Sequence, residues 1–79
     1  MKFETHTSIM THDREVRIDV ENNMFELILD GYHLYPLNES VVLYKTEKEK
    51  VGIAVPKKIS WEENRTALIY QLVSLHSVN

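Results

Sequence analysis

The sequence predicts a small, mostly β fold: one domain spanning residues 1–79, built as an antiparallel meander that curls into a sheet or a partly open β-barrel. Three observations predict it. Apolar and polar residues alternate with period two along most of the chain, the rhythm of strands rather than helices. Clusters of turn-forming residues punctuate that alternation at short intervals. The chain has 79 residues of which 43% are hydrophobic, too apolar for disorder. A chain of this size buries only about 60–65% of its unfolded surface, and curling a sheet on itself shields strand edges while burying one face.

The elements follow in order. Phe3, Thr5, Thr7 and Ile9 alternate with Glu4, His6 and Ser8, which predicts a first strand. Thr11-His12-Asp13-Arg14 reads as a turn. Val16, Ile18 and Val20 then alternate with charged residues, so the two strands are expected to pair as a hairpin with one face buried. Glu21-Asn22-Asn23 is the next turn, because Asn tolerates the left-handed region. Phe25, Leu27 and Leu29 define the following strand. A short helix over residues 21–29 is the rival reading there, since Met24, Leu27 and Ile28 also fit helical spacing. Asp30-Gly31 ends the strand.

Tyr32 to Pro36 is expected to be extended, because the residue before proline is pushed to β. Leu37–Ser40 is loop. Val41–Lys45 is apolar on both faces and therefore central, and Thr46–Lys50 forms a polar hairpin tip. Val51, Ile53, Val55, Ile59 and Trp61 share one parity and predict a long strand bent at Pro56, where a ladder donor is missing. Gly52 and Ala54 on its other face let a neighbour approach closely. Glu62-Glu63-Asn64-Arg65 closes another hairpin. Thr66–Leu75 is apolar on both faces and so belongs in the sheet interior or at a subunit contact; His76-Ser77-Val78-Asn79 is a polar end.

Several chemistries are excluded by composition. There is no cysteine, hence no disulfide framework and no thiolate zinc site. No apolar run approaches the roughly 18–20 residues of a membrane helix. The first residues lack the apolar stretch of a signal peptide, so a cytoplasmic location is expected. The two glycines, Gly31 and Gly52, support neither a phosphate-cradling loop nor a nucleophile elbow around any serine. The paired acids Glu47/Glu49 and Glu62/Glu63 fall in turns, where carboxylates lack a perturbing pocket. No catalytic residue, cofactor site or metal site is assigned, and the chain is expected not to be an enzyme.

The histidines His6, His12, His33 and His76 are numerous for the length but lack the spacing of a recognised ligand pair. They are expected to be scattered surface residues, with a long-range His–carboxylate site as the alternative. The charge of −3 is uneven. Residues 1–39 carry three basic against eight acidic residues, a balance of −5, and residues 40–79 six against four, a balance of +2. Lys45, Lys48, Lys50, Lys57 and Lys58 supply the basic half. Edge lysines discourage strand aggregation; the alternative is a phosphate-contacting patch. Phe25 and Trp61 fall on apolar parities and are expected in the core, whereas Tyr32 and Tyr35 flank a loop with hydroxyls outward. With these tyrosines, His33 and the five lysines form the candidate binding surface.

The run Gly31-Tyr32-His33-Leu34-Tyr35-Pro36 and the tail from Ile59-Ser60-Trp61 to Asn79 resemble a family of short uncharacterised proteins from Bacillus and related Firmicutes. That resemblance implies a bacterial cytosolic protein and transfers no catalytic residue, ligand or partner. Val51-Gly52-Ile53-Ala54 with its long hairpin also looks like small barrels of translation-related and PUA-like proteins, a likeness of fold alone. The expected function is a non-catalytic protein-binding or structural module that contacts a protein partner or a second copy of itself as a homodimer. The alternative is a small β-barrel that binds RNA or another nucleic acid.

Overall fold

A computed structural model describes residues 2–75. Eight strands follow one another: β1 (Phe3–Thr5), β2 (Ser8–Met10), β3 (Val16–Asp19), β4 (Met24–Asp30), β5 (Tyr32–Leu34), β6 (Val41–Thr46), β7 (Glu49–Glu62) and β8 (Arg65–Leu75). No helix forms among the described residues. The expected mostly β class holds: six strands make a curled half-barrel in the order β2-β6-β7-β8-β4-β3, and β1 and β5 form a separate two-stranded ribbon. The helical alternative over residues 21–29 fails because β4 pairs with β8 along its whole length, from Met24↔Gln71 to Asp30↔Arg65.

The turns obey local chemistry. Glu63 and Asn64, both at positive φ, close the β7–β8 hairpin between the paired residues Glu62 and Arg65, the geometry that matches strand twist. Asp19 organises the turn after β3 by accepting hydrogen bonds from the backbone N–H groups of Glu21 and Asn22 and from the Asn22 side chain, while Asn23 takes φ +53°. The Asn22 amide is the main reason the Asp19 carboxyl lies below its ordinary pKa.

Two sequence expectations are overturned by pairing. The turn at His12-Asp13 exists, with Arg14 N–H donating to Thr11 C=O, but it does not close a hairpin. The first strand breaks at His6-Thr7 into β1, which runs parallel to β5, and β2, which runs parallel to β6; β3 pairs with β4 instead. Alternation specifies a face and not a partner. Beside β6, Ile9 is fully buried opposite Leu43. Val16, Ile18 and Val20, expected on a buried face, are exposed. At this edge it is Arg17 that turns toward the interior side, its guanidinium 5.0 Å from the centre of the Phe25 ring.

The core consists of Ile9, Leu27, Tyr35, Val41, Leu43, Ala54, Leu68 and Tyr70 on the concave face, with Phe25 stacked on Tyr70 at 5.5 Å. Its layout depends on a bulge in β7. Pro56 faces Tyr70, Lys58 faces Ile69 and Ile59 faces Leu68, so Lys57 is an extra residue with no partner across the ladder. Before the bulge the buried parity is Gly52, Ala54 and Pro56; after it, Ile59 joins Leu68 and Leu27. The single parity expected for Val51 to Trp61 is thus corrected: the bulge puts Ile53 and Val55 on one face and Ile59 and Trp61 on the other. The close approach expected at Gly52 is real, since a Cβ there would collide with the carbonyl oxygen of Ser74.

Candidate functional site

The ribbon of β1 and β5 leaves the half-barrel at one point. β4 follows β8 as far as Asp30; Gly31, at φ +83°, then redirects the chain. Gly31 N–H donates to Asn64 C=O at 2.7 Å. The fully buried Thr66 of β8 bridges the redirected backbone, its hydroxyl donating to Gly31 C=O at 2.8 Å and accepting from His33 N–H at 2.9 Å. β5 therefore stands at a fixed angle to the sheet with His33 at its centre.

Three contacts fix His33. Its backbone N–H is held by Thr66, its C=O accepts from the Trp61 indole N–H at 2.9 Å, and its Nε2 lies 2.6 Å from the Asp30 carbonyl oxygen. A carbonyl only accepts, so Nε2 carries the proton and Nδ1 presents a lone pair. That lone pair meets His6 Nε2 at 2.8 Å. The meeting follows from register: His6 N–H donates to Leu34 C=O and extends the β1–β5 ladder by one residue, and Glu4 sits directly across from His33. Glu4 and His6, two apart on an extended segment, share a face. Glu4 Oε2 lies 3.7 Å from His33 Nδ1 and 4.0 Å from His6 Nε2.

The surroundings disfavour the charged form of His6. Its ring stacks on buried Tyr35 at 4.9 Å. Burial, then the neighbouring His33, lower its pKa, with Glu4 opposing. Two clefts adjoin His33, one of about 550 Å³ between Phe3, Gly31, Tyr32 and Asn64, the other of about 250 Å³ between His6, Ser8, Met10 and Tyr35. Beside the first, Phe3 packs against Tyr32 at 5.4 Å and edge-on against Trp61 at 5.3 Å.

The candidate surface read from the sequence is split by the structure. Tyr32, His33 and Tyr35 belong to this corner, but Tyr35 is buried rather than outward, its phenol pushed up to about 12 by burial and by Glu4. Trp61, expected in the core, is half exposed at the corner because the β7 bulge sets its parity and the strand ends beside Phe3. Lys45, Lys48 and Lys50 cluster at the β6–β7 tip. There Lys45 pairs with Asp13 at 3.1 Å, and the hydrogen bond to Asp13 raises its pKa. Lys57 and Lys58 lie at the bulge, seven residues or about 23 Å further along β7 from Lys50. The expectation of scattered histidines is corrected for His6 and His33, which meet across 27 positions of sequence. His12 stays exposed in its turn, and His76 lies outside the described residues. The signal missed in the sequence is Glu4-Thr5-His6, a carboxylate and an imidazole at strand spacing.

A second surface lies at the far end of β8. Pairing with β4 stops at Met24↔Gln71, where the Gln71 side chain donates to Asn22 C=O and Leu72 N–H to Asn23 C=O. Among the described residues, Val73, Ser74 and Leu75 have a strand on the β7 side alone. Val73 is 58% exposed and Leu75 71%. No helix of the described residues is long and apolar enough to cross a membrane.

Residues 1–79 match the family described as a domain of unknown function, DUF2584. The chain belongs to the DUF2584 family. It is 48% identical over 80 residues to the uncharacterized protein YtmB of Bacillus subtilis strain 168, covering 100% of this chain and 98% of that protein. The DUF2584 fold seen here superposes on the X-ray crystal structure of YtmB with a TM-score of 0.92, covering 100% of this chain and 96% of that one. The expected kinship with short Firmicutes proteins of unknown function is thereby shown.

Proposed function

We propose that this DUF2584 protein is a non-catalytic module of the bacterial cytosol that works through protein contacts, and that its first partner is a second copy of itself. The observation that carries this reading is the overhang of β8, where Val73 and Leu75 are exposed and the strand, among the described residues, has one open edge. An open strand edge is a template for another strand. An antiparallel strand placed against its own copy about a twofold axis is self-complementary. The small size of the chain supports the same reading, since a domain this short gains from burial supplied by a partner. The cysteine-free sequence fits a reducing compartment.

Sedimentation across the micromolar range tests the proposal. A dimer is expected, and the double variant Val73→Lys/Leu75→Lys should shift it to monomer by placing like charges across the joint. A wild-type monomer at every concentration overturns the self-contact; a dimer that persists in the double variant overturns its placement on β8.

A further inference from the structure

We propose that Glu4, His6 and His33 form a binding site for one divalent first-row transition cation, held by two imidazoles and a carboxylate with its remaining positions open. This goes beyond the contact function and is independent of it, since all three residues come from one chain.

The geometry carries the assignment. Ligand atoms about 2.0–2.2 Å from an ion, at angles between octahedral and tetrahedral, lie roughly 2.9–3.4 Å from one another. His6 Nε2 and His33 Nδ1 are already 2.8 Å apart, ring tip to ring tip, so a turn of the His6 ring and a shift of the Glu4 oxygen, now at 3.7 and 4.0 Å, by roughly half an ångström close the triangle. The Glu4 side chain is 73% exposed and free to make that shift. A ligating histidine characteristically donates its other ring N–H to a carbonyl or carboxylate, which fixes ring and tautomer. His33 does this through Nε2 to Asp30 C=O, leaving Nδ1 as the only nitrogen able to ligate. Without the ion, His6 Nε2 donates its proton to that same Nδ1. On binding, that hydrogen bond breaks: the ion takes the Nδ1 lone pair of His33, and His6 turns so that Nε2 faces the ion from beside the N–N line, its proton moving to Nδ1. The two imidazoles and the carboxylate are the donor set for zinc, cobalt or iron(II) rather than for calcium or magnesium, which prefer all-oxygen sites.

The test is a titration of the untagged full chain with Zn²⁺ and Co²⁺ at neutral pH. It is followed by the fluorescence of Trp61, whose indole nitrogen holds the His33 carbonyl, and by the imidazole nitrogen resonances. One equivalent should bind, shifting the nitrogens of His6 and His33 but not those of His12. Because His33 also holds the backbone in place, the variants are His6→Gln and Glu4→Gln, each checked for a native-like amide spectrum. His6→Gln should weaken Zn²⁺ at least about tenfold and Glu4→Gln several-fold, with His12→Ala unchanged. No saturable binding up to millimolar ion, affinity unaffected by His6→Gln, or resonance shifts confined to other histidines would each overturn the site.

Discussion

Thr66 is the residue on which the corner turns. Its hydroxyl gives one hydrogen bond and takes another, joining Gly31 C=O and His33 N–H across the point where the chain leaves the sheet. Thr66→Val keeps the shape and removes both bonds, leaving two backbone groups unpaired beside a fully buried side chain. The expected loss is about 1–3 kcal/mol in urea unfolding. Tyr35 makes a different kind of prediction. Its folded-state pKa, about 12, lies above the ordinary value near 10 because burial first, and the Glu4 carboxylate second, disfavour the phenolate. The sign follows directly. The fold favours the protonated phenol, so its contribution is complete below about pH 10 and is lost as pH rises toward about 12. Tyr70 is shifted the same way, by its burial and then by Glu15. Urea midpoints measured on either side of pH 10 should therefore fall with alkalinity, and fall less in Tyr35→Phe. An equal decline in both proteins would mean that Tyr35 has no part in it.

Among the elements, β7 shows how a strand carries two patterns in sequence. Lys57 has no ladder partner, and the residues on either side of it assign their apolar side chains to the core by opposite parities. The bulge predicts an asymmetry between substituting a residue and removing it. Lys57→Ala alters an exposed side chain and should stay within about 0.5 kcal/mol of wild type. Deleting Lys57 forces either the Gly52–Pro56 half or the Ile59–Trp61 half to face the wrong way. The deletion variant should lose more than about 4 kcal/mol, or fail to fold, in the same unfolding assay. This is also where the sequence was least legible. Strand existence and the Glu63-Asn64 hairpin follow from local residue chemistry. A bulge inside an apolar run leaves no local mark except an interrupting lysine, which reads as a surface residue on one uninterrupted face.

At the scale of the whole molecule, the class and most strand positions were legible because alternation and turn chemistry are local. The pairings were not. β1 and β2 choose partners roughly 30 residues away and run parallel to them, and no feature of residues 3–10 names β5 or β6 as the mate. The site shared this fate. His33 and the Glu4–His6 spacing are visible in the sequence, but only the β1–β5 register brings them together. That long-range pairing has a consequence for assembly order. β6, β7 and β8 are joined by two tight hairpins and zip locally, whereas β4 and the N-terminal segment must each close a loop of roughly 30 residues or more. The histidine corner then comes into being only when the N-terminal segment closes such a loop. Its two N-terminal donors, Glu4 and His6, ride on a segment held to the ribbon strand of His33 by three ladder pairs. An ion captured there would act as a latch, fastening the N-terminal segment to the ribbon across 27 positions of sequence.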